Sequence, residues 1–158
     1  MLRILLLLVA LALLVNAKAE NYEVTVTRKA RNLYKVVGEN IIIQTLYCYE
    51  YAYAESAILR LRGFSSTIIF LDSGRKCDVK GVYASSEQKP GRYAVTIFRE
   101  ENDWYQIWGT NIYIKTTGCL SLAFGQEAVL HVSAGGYGTL YVGRDQCMVE
   151  GLYSKMRY

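Results

Sequence analysis

The chain repeats itself at an offset of 71 residues. YEVTVTR at 22–28 aligns with YAVTIFR at 93–99, and YKVVGENIIIQT at 34–45 aligns with YQIWGTNIYIKT at 105–116. Near the end of each copy the offset becomes 70, and CDVKGVY at 77–83 aligns with CMVEGLY at 147–153. In all, 18 of 60 aligned positions are identical. The repeat constrains the fold because both copies are expected to form the same supersecondary unit.

The residues before the repeat have the three parts of a secretory signal peptide. Arg3 is followed by an apolar run over 4–15 and by the small-residue exit Ala17-Lys18-Ala19. Twelve apolar residues are too few to cross a bilayer, which needs about 20. The sequence therefore predicts a signal peptide at 1–19, a first β repeat at 20–84, a linker at 85–91 and a second β repeat at 92–158. We expect a secreted or periplasmic protein with no transmembrane helix after cleavage.

The four cysteines divide equally between the copies, and they predict two disulfide bonds. Cys48 aligns with Cys119 and Cys77 aligns with Cys147, and export brings the chain to an oxidising compartment. If each copy descends from a unit with one bridge, the pairs are Cys48–Cys77 and Cys119–Cys147. The chain has no CxxC motif and one histidine, so no metal site is expected.

Hydrophobic residues alternate with polar ones, which is typical of half-buried strands and indicates an all-β fold. We expect about six strands in each copy of roughly 62 residues, with a hairpin turn at Gly38 and Asn40 that recurs at Gly109 and Asn111. Two arrangements remain open, namely two small barrels and one pseudo-two-fold sandwich. A shared core is favoured, because a unit of this size buries little apolar surface by itself.

Four tyrosines alternate along the chain at Tyr47, Tyr49, Tyr51 and Tyr53. One interpretation is an aromatic platform that stacks on sugar rings or peptide, and this candidate binding surface also includes Tyr137. The other interpretation is the core face of a strand. It is favoured, because the aligned residues Gly118, Leu120, Leu122 and Phe124 keep apolar character at three of the four positions without the hydroxyl.

The sequence offers no convincing catalytic or cofactor site. The only histidine, His131, aligns with Arg60, and its strand pattern places it on the face opposite Ala128 and Leu130, away from the core. The glycine-rich segment at 133–138 lacks the Lys-Ser/Thr ending of a phosphate-binding loop and is interpreted as a hairpin loop. Carboxylates for glycoside hydrolysis are present as Glu50, Glu55, Asp72 and Asp78, although solvated turn charges explain them more simply.

The charge balance excludes a strongly basic nucleic-acid-binding protein. The full chain has a net charge of +4, and removal of Arg3 and Lys18 with the signal peptide leaves +2. The later half of the first repeat is mildly cationic and carries Arg60, Arg62, Arg75, Lys76 and Lys80. This region is only a weak candidate for binding an anionic polysaccharide or a nucleic acid.

The sequence therefore predicts a binding or structural module of the cell envelope or extracellular space rather than an enzyme. The expected partner is a protein or a polysaccharide, with no nucleic acid and no cofactor. One alternative is an envelope-directed hydrolase that uses the carboxylates. The other is a small outer-membrane β-barrel of eight strands, which the expected strand length of five to seven residues disfavours, because crossing needs about 9–11 residues.

Overall fold

The computed structural model describes residues 19–158, and their regular structure is almost entirely β-strand. The all-β prediction is therefore confirmed. The predicted signal peptide lies outside the described residues except for Ala19. One turn of 3-10 helix occurs at Gly63–Ser65. Within residues 19–158, no helix has the length and apolarity that crossing a membrane requires.

Each half of the described chain contains the six strands that the sequence predicts. The first six are β1 (Glu20–Ala30), β2 (Leu33–Val36), β3 (Ile41–Leu46), β4 (Glu55–Leu61), β5 (Thr67–Phe70) and β6 (Lys76–Ser85). The second six are β7 (Gly91–Glu101), β8 (Trp104–Ile107), β9 (Ile112–Thr117), β10 (Phe124–Val132), β11 (Gly138–Val142) and β12 (Asp145–Lys155).

The six strands of each half form a closed barrel. In the first half, β1, β2 and β3 form an antiparallel meander and β4 returns to lie beside β1, which is Greek-key connectivity. Strand β5 then pairs with both β4 and β6, and β6 pairs with β3, so the ring has no open edge. Strands β7 to β12 pair in the same order. The described strands thus make two rings of six strands.

Several strands are longer than the expected five to seven residues. Strands β1, β7 and β12 each span 11 residues. Their length follows from bending, because different parts of one strand pair with different neighbours. In β1, Glu20–Val26 pairs with β4, while Val26–Ala30 pairs with β2 across a bulge near Arg28. Bulges and bends of this kind allow a small sheet to close on itself.

The two halves differ mainly in the loops around their fifth strands. Arg60 pairs with Thr67 in the first barrel, whereas His131 pairs with Thr139 in the second, so one more residue lies between the paired positions of the β10–β11 hairpin. That hairpin requires glycine at Gly138, where a Cβ atom would lie 1.8 Å from the carbonyl oxygen of His131. Between Thr139 and its partner Met148 there are two residues fewer than between Thr67 and its partner Asp78, and this produces the offset of 70.

Each barrel encloses its own hydrophobic core, so the favoured shared core is wrong and the two-barrel arrangement is the one formed. The first core includes Val26, Tyr34 and Phe70, and the second includes Ile97 and Tyr105. All five side chains are fully buried. The disulfides lie within these cores, and each of them joins two cysteines of the same barrel.

A third apolar cluster joins the barrels. It takes the same three alignment positions from each half, namely Leu33, Ile42 and Tyr83 from the first barrel and Trp104, Tyr113 and Tyr153 from the second. The ends of β6 and β12 also pair across the junction, with Ser154 opposite Ala84. Because equivalent positions meet each other, the junction has the form of a two-fold interface within one chain.

Candidate binding surface

The segment between β3 and β4 carries the four alternating tyrosines on the outside of the first barrel. Its exposed side chains are 57–88% accessible, and they are Tyr47, Tyr49, Tyr51 and Tyr53. Cys48 and Ala52, which lie between them, face the core and are buried. The core-face interpretation of the tyrosines is therefore wrong, and it is the small residues that face inward. We call the four tyrosines the tyrosine ridge.

The backbone under the tyrosine ridge is held at several points, so the ridge is a fixed surface. The Cys48–Cys77 disulfide, with a Cα–Cα distance of 5.6 Å, has the predicted pairing. The hydroxyl of Tyr34 donates a hydrogen bond to the Glu50 carbonyl oxygen at 2.7 Å. Burial of this phenol raises the pKa of Tyr34 to about 12, which keeps the hydroxyl protonated as a donor. Two more hydrogen bonds from backbone N–H groups hold the segment in place. The N–H of Cys48 donates to Asn32 Oδ1 at 2.8 Å, and the N–H of Arg28 donates to the Ala52 carbonyl oxygen at 2.9 Å.

The second barrel repeats this scaffold with different side chains. Cys119 and Cys147 form the second predicted disulfide, and the Tyr105 hydroxyl donates to the Ser121 carbonyl oxygen at 2.7 Å. The exposed positions are apolar and carry Leu120, Leu122 and Phe124. We call these three the apolar ridge. The same backbone therefore displays two chemically different surfaces, which allows the barrels to differ in what they contact.

Aromatic residues that the sequence did not single out extend the apolar ridge. Phe98 packs edge-on to Phe124, with ring centres 5.2 Å apart, and it lies 5.2 Å from the exposed ring of Trp108. The aligned residues in the first barrel are Thr27 and Val37. A comparison of the two halves of the sequence residue by residue would have found this difference.

A cleft of about 460 Å³ lies beside the tyrosine ridge, where the β1–β2 turn meets it. Its walls include Arg28, Lys29, Arg31, Tyr51 and Tyr53. The Arg28 guanidinium carbon lies 4.3 Å from the centre of the Tyr51 ring, which is a cation–π contact. We call this feature the cationic cleft.

The cationic region expected in the later half of the first repeat is partly neutralised. Arg75 pairs with Glu50 at 3.1 Å, and Lys80 pairs with Glu100 of the second barrel. The Arg60 Nε donates to Asn21 Oδ1 at 3.1 Å. Sequence reasoning missed the cationic cleft, although three cations within four residues at the β1–β2 turn were a readable signal.

The structure brings together three of the four candidate carboxylates. Glu50 binds Arg75 and accepts a hydrogen bond from the Ser73 hydroxyl at 3.0 Å. Glu55 is buried, and its pKa is raised above the ordinary value by desolvation and by the charges of Glu50 and Asp72, against hydrogen bonds from the backbone of the β5–β6 turn. Asp78 instead is exposed on β6. Neither Glu50 nor Glu55 lines any of the clefts described in this section.

Replacing Glu55 with glutamine is expected to raise the free energy of unfolding by about 0.5–1 kcal/mol near neutral pH. This is the usual net contribution of a single polar group to stability. The folded-state pKa of Glu55 is raised, so its stabilising contribution is present at acid pH and is lost as pH rises through that pKa. The Oε1 atom of Glu55 accepts no hydrogen bond. An amide NH₂ group at the position of this oxygen therefore displaces no hydrogen-bond donor. Urea unfolding should show the gain at about pH 7 and none at about pH 3.

The matched control for this variant is Glu127→Gln, which removes an exposed carboxylate from β10. It should leave the unfolding midpoint nearly unchanged at both pH values. A loss of stability in Glu55→Gln at neutral pH would contradict the assignment, because it would show that the ionised carboxylate is favourable in the folded state.

The remaining candidates lie apart from the tyrosine ridge. His131 is partly exposed between Arg92 and Thr139 of the neighbouring strands, on the face opposite the core as predicted. Tyr137 is exposed in the β10–β11 hairpin and lines a different cleft, of about 480 Å³, beside Glu87 of the linker. The binding surface predicted from the sequence is therefore split, with four of its tyrosines in one ridge and Tyr137 elsewhere.

A groove of about 640 Å³ opens at one end of the first barrel. It is lined by aliphatic side chains of β1, β2, β3, β4 and β6, by the carboxylates of Glu20, Glu23 and Glu39, and by the last three residues of the chain. The lining of the groove therefore combines apolar side chains with three carboxylates.

Residues 19–158 contain no group of three or more metal-ligating side chains, and all four cysteines are in disulfides. Comparison with protein-family models, with curated proteins and with solved structures finds no match.

Proposed function

We propose that this chain is an exported, non-enzymatic binding protein of the cell envelope or extracellular space, and that the tyrosine ridge is its ligand-binding surface. The observation that carries this proposal is the outward display of four tyrosines on a backbone fixed by a disulfide and by buried hydrogen bonds. Exposed aromatic rings on a rigid support are costly in solution but favourable for recognition, because little conformational entropy is lost on binding.

The two barrels are proposed to descend from one duplicated unit. The sequence identities, the equal strand order and the equivalent disulfide positions support this origin. Duplication leaves each copy free to acquire its own surface, and the tyrosine and apolar ridges are consistent with such divergence.

Export is proposed from the signal peptide pattern at 1–19 together with the two disulfides. Structural disulfides form and persist in oxidising compartments. The ligand belongs to the extracellular or envelope space, as a protein or a polysaccharide. The hydrolase alternative has less support, because Glu50 is engaged by Arg75 and Glu55 is buried away from the described clefts.

The test replaces ridge tyrosines with the residues that the second barrel carries at aligned positions. Tyr49→Leu, Tyr51→Leu and Tyr53→Phe together should weaken the strongest ligand of the parent by about tenfold or more, as expected for aromatic residues that anchor an interface. The melting temperature should change little, because the three side chains are exposed. Binding is measured by interferometry against purified polysaccharides and against proteins of the source's extracellular medium.

The control variant changes three other exposed tyrosines, with Tyr22→Phe, Tyr137→Leu and Tyr158→Phe. Its ligand affinity should match the parent. If the ridge and control variants bind as well as the parent, the tyrosine ridge is not the binding surface.

A further inference from the structure

The cations of the cationic cleft are free of carboxylate partners. In the described part of the chain the ion pairs use Arg75, Lys80 and Lys115, so none uses the cations of the cleft. In addition, Arg28 Nε is a buried donor with no hydrogen-bond partner, as is Nε of the aligned Arg99 in the second barrel. An unpaired buried donor is costly, and a ligand oxygen within the cleft would remove that cost.

The arrangement of cations and rings suits a ligand that carries both an anionic group and a flat apolar face. Arg28 stacks on Tyr51, and a guanidinium that stacks on a ring keeps its N–H donors at its edge for an oxyanion. Tyr53 lines the same cleft. Lys29 and Arg31 are exposed on the turn beside it.

The second barrel lacks this site, although its backbone is equivalent. The aligned turn reads Arg99-Glu100-Glu101-Asn102. Its single cation hydrogen-bonds to Asn102, Glu100 pairs with Lys80, and Glu101 accepts a hydrogen bond from Asn32 Nδ2 at 2.9 Å. Carboxylates in place of Lys29 and Ala30, and an amide in place of Arg31, disfavour an anion. The cationic cleft is therefore a property of the first barrel's side chains and not of the fold.

We propose that the cationic cleft binds the carboxylate or sulfate groups of a linear anionic polysaccharide, with Tyr51 and Tyr53 stacking on its sugar rings. This inference rests on the proposed function and names the ligand class of the tyrosine ridge. A row of flat rings along one segment suits a repeating linear ligand, and the three cations at the end of the row supply the charge complementarity. An acidic peptide is the competing ligand, and the experiment distinguishes it.

The experiment measures binding of the full mature chain to heparin, polygalacturonate and uncharged dextran by isothermal titration. The two charged polymers carry sulfate and carboxylate groups, and dextran is the neutral control. The test variant is Arg28→Gln, Lys29→Gln and Arg31→Gln together. Affinity for at least one charged polymer should fall by about tenfold or more in this variant. It should also fall with salt between about 50 and 300 mM, because ionic contacts are screened.

A matched variant removes the same charge from exposed positions outside the cleft, with Arg62→Gln, Lys76→Gln and Lys89→Gln. It should bind within about threefold of the parent. Equal losses in the two triple variants would overturn the site, because they would show attraction to net charge alone. Dextran binding as strong as that of the charged polymers would overturn the anionic class.

Two further outcomes separate this inference from the proposed function. If an acidic peptide such as polyglutamate binds and no polysaccharide does, the polysaccharide assignment is wrong while the tyrosine ridge remains the binding surface. If a polymer or protein binds and the Tyr49→Leu, Tyr51→Leu, Tyr53→Phe variant binds it equally well, the proposed function itself fails.

Discussion

Replacing Trp104 with alanine is expected to lower the free energy of unfolding by about 3–5 kcal/mol, the usual cost of truncating a buried tryptophan. Trp104 is 0% exposed. Its ring centre lies 5.0 Å from that of Tyr83, across the junction, and 5.5 Å and 5.7 Å from those of Tyr113 and Tyr153. Truncation leaves a cavity in the cluster that joins the barrels.

The position of Trp104 also predicts how the variant unfolds. Each barrel keeps its own core, so loss of the junction should separate the two transitions. Calorimetry should show one cooperative transition in the parent and two in Trp104→Ala. Near-ultraviolet circular dichroism should lose the signal of the junction aromatics before the far-ultraviolet β signal is lost.

The control is Trp104→Phe, which keeps most of the volume and removes an indole N–H that has no hydrogen-bond partner. Its cost should be smaller than that of alanine, because part of the lost packing is offset by removal of a buried unpaired donor. If Trp104→Ala and Trp104→Phe were equally destabilising, ring packing would not be what holds together the cluster that joins the barrels.

Removing the first disulfide by Cys48→Ala and Cys77→Ala is expected to lower the free energy of unfolding by about 2–5 kcal/mol. The bridge closes a loop with a sequence separation of 29, and such a loop contributes about 3–4 kcal/mol in the chain-entropy model. A loss on this scale is a large part of the total free energy of unfolding of a small protein, which is roughly 5–15 kcal/mol. Urea unfolding measures it.

The second disulfide provides the matched control. Cys119→Ala with Cys147→Ala opens a loop of nearly equal separation, 28 residues, and should cost about the same stability. Only the first variant should also weaken ligand binding below its melting temperature, because Cys48 lies within the tyrosine ridge segment. Equal loss of binding in both variants would show that the ligand contacts both ridges.

Much of the fold could be predicted from the sequence because it depends on local patterns. A period of two identifies strands, and glycine and asparagine mark the hairpins, as Gly38 does with a φ of 82°. The alignment of the two halves of the sequence was enough to pair the cysteines correctly. Strand ends were less predictable, because β1 and β7 continue through bulges into a second pairing.

The tyrosine ridge shows where a local pattern stops being informative. Alternation of Tyr51 with Ala52 shows that the two faces of the segment differ, but not which of them is inside. Large apolar residues usually face the core, and that expectation favoured the wrong face. Cys48, which is bridged to Cys77, and Ala52 belong to the buried core at this point, and the tyrosines that alternate with them lie outside.

The sequence by itself determined the β class, the six strands of each half and the partner of every cysteine, because each of these follows from residue periodicity or from comparison of the two halves. The tertiary structure decided that the barrels have separate cores, which side of the tyrosine segment faces solvent, and which cations are free. Those features depend on contacts between residues far apart in the chain, such as Arg75 with Glu50 and Lys80 with Glu100. Electrostatic neutralisation and burial are set by distance in space, which no local pattern contains.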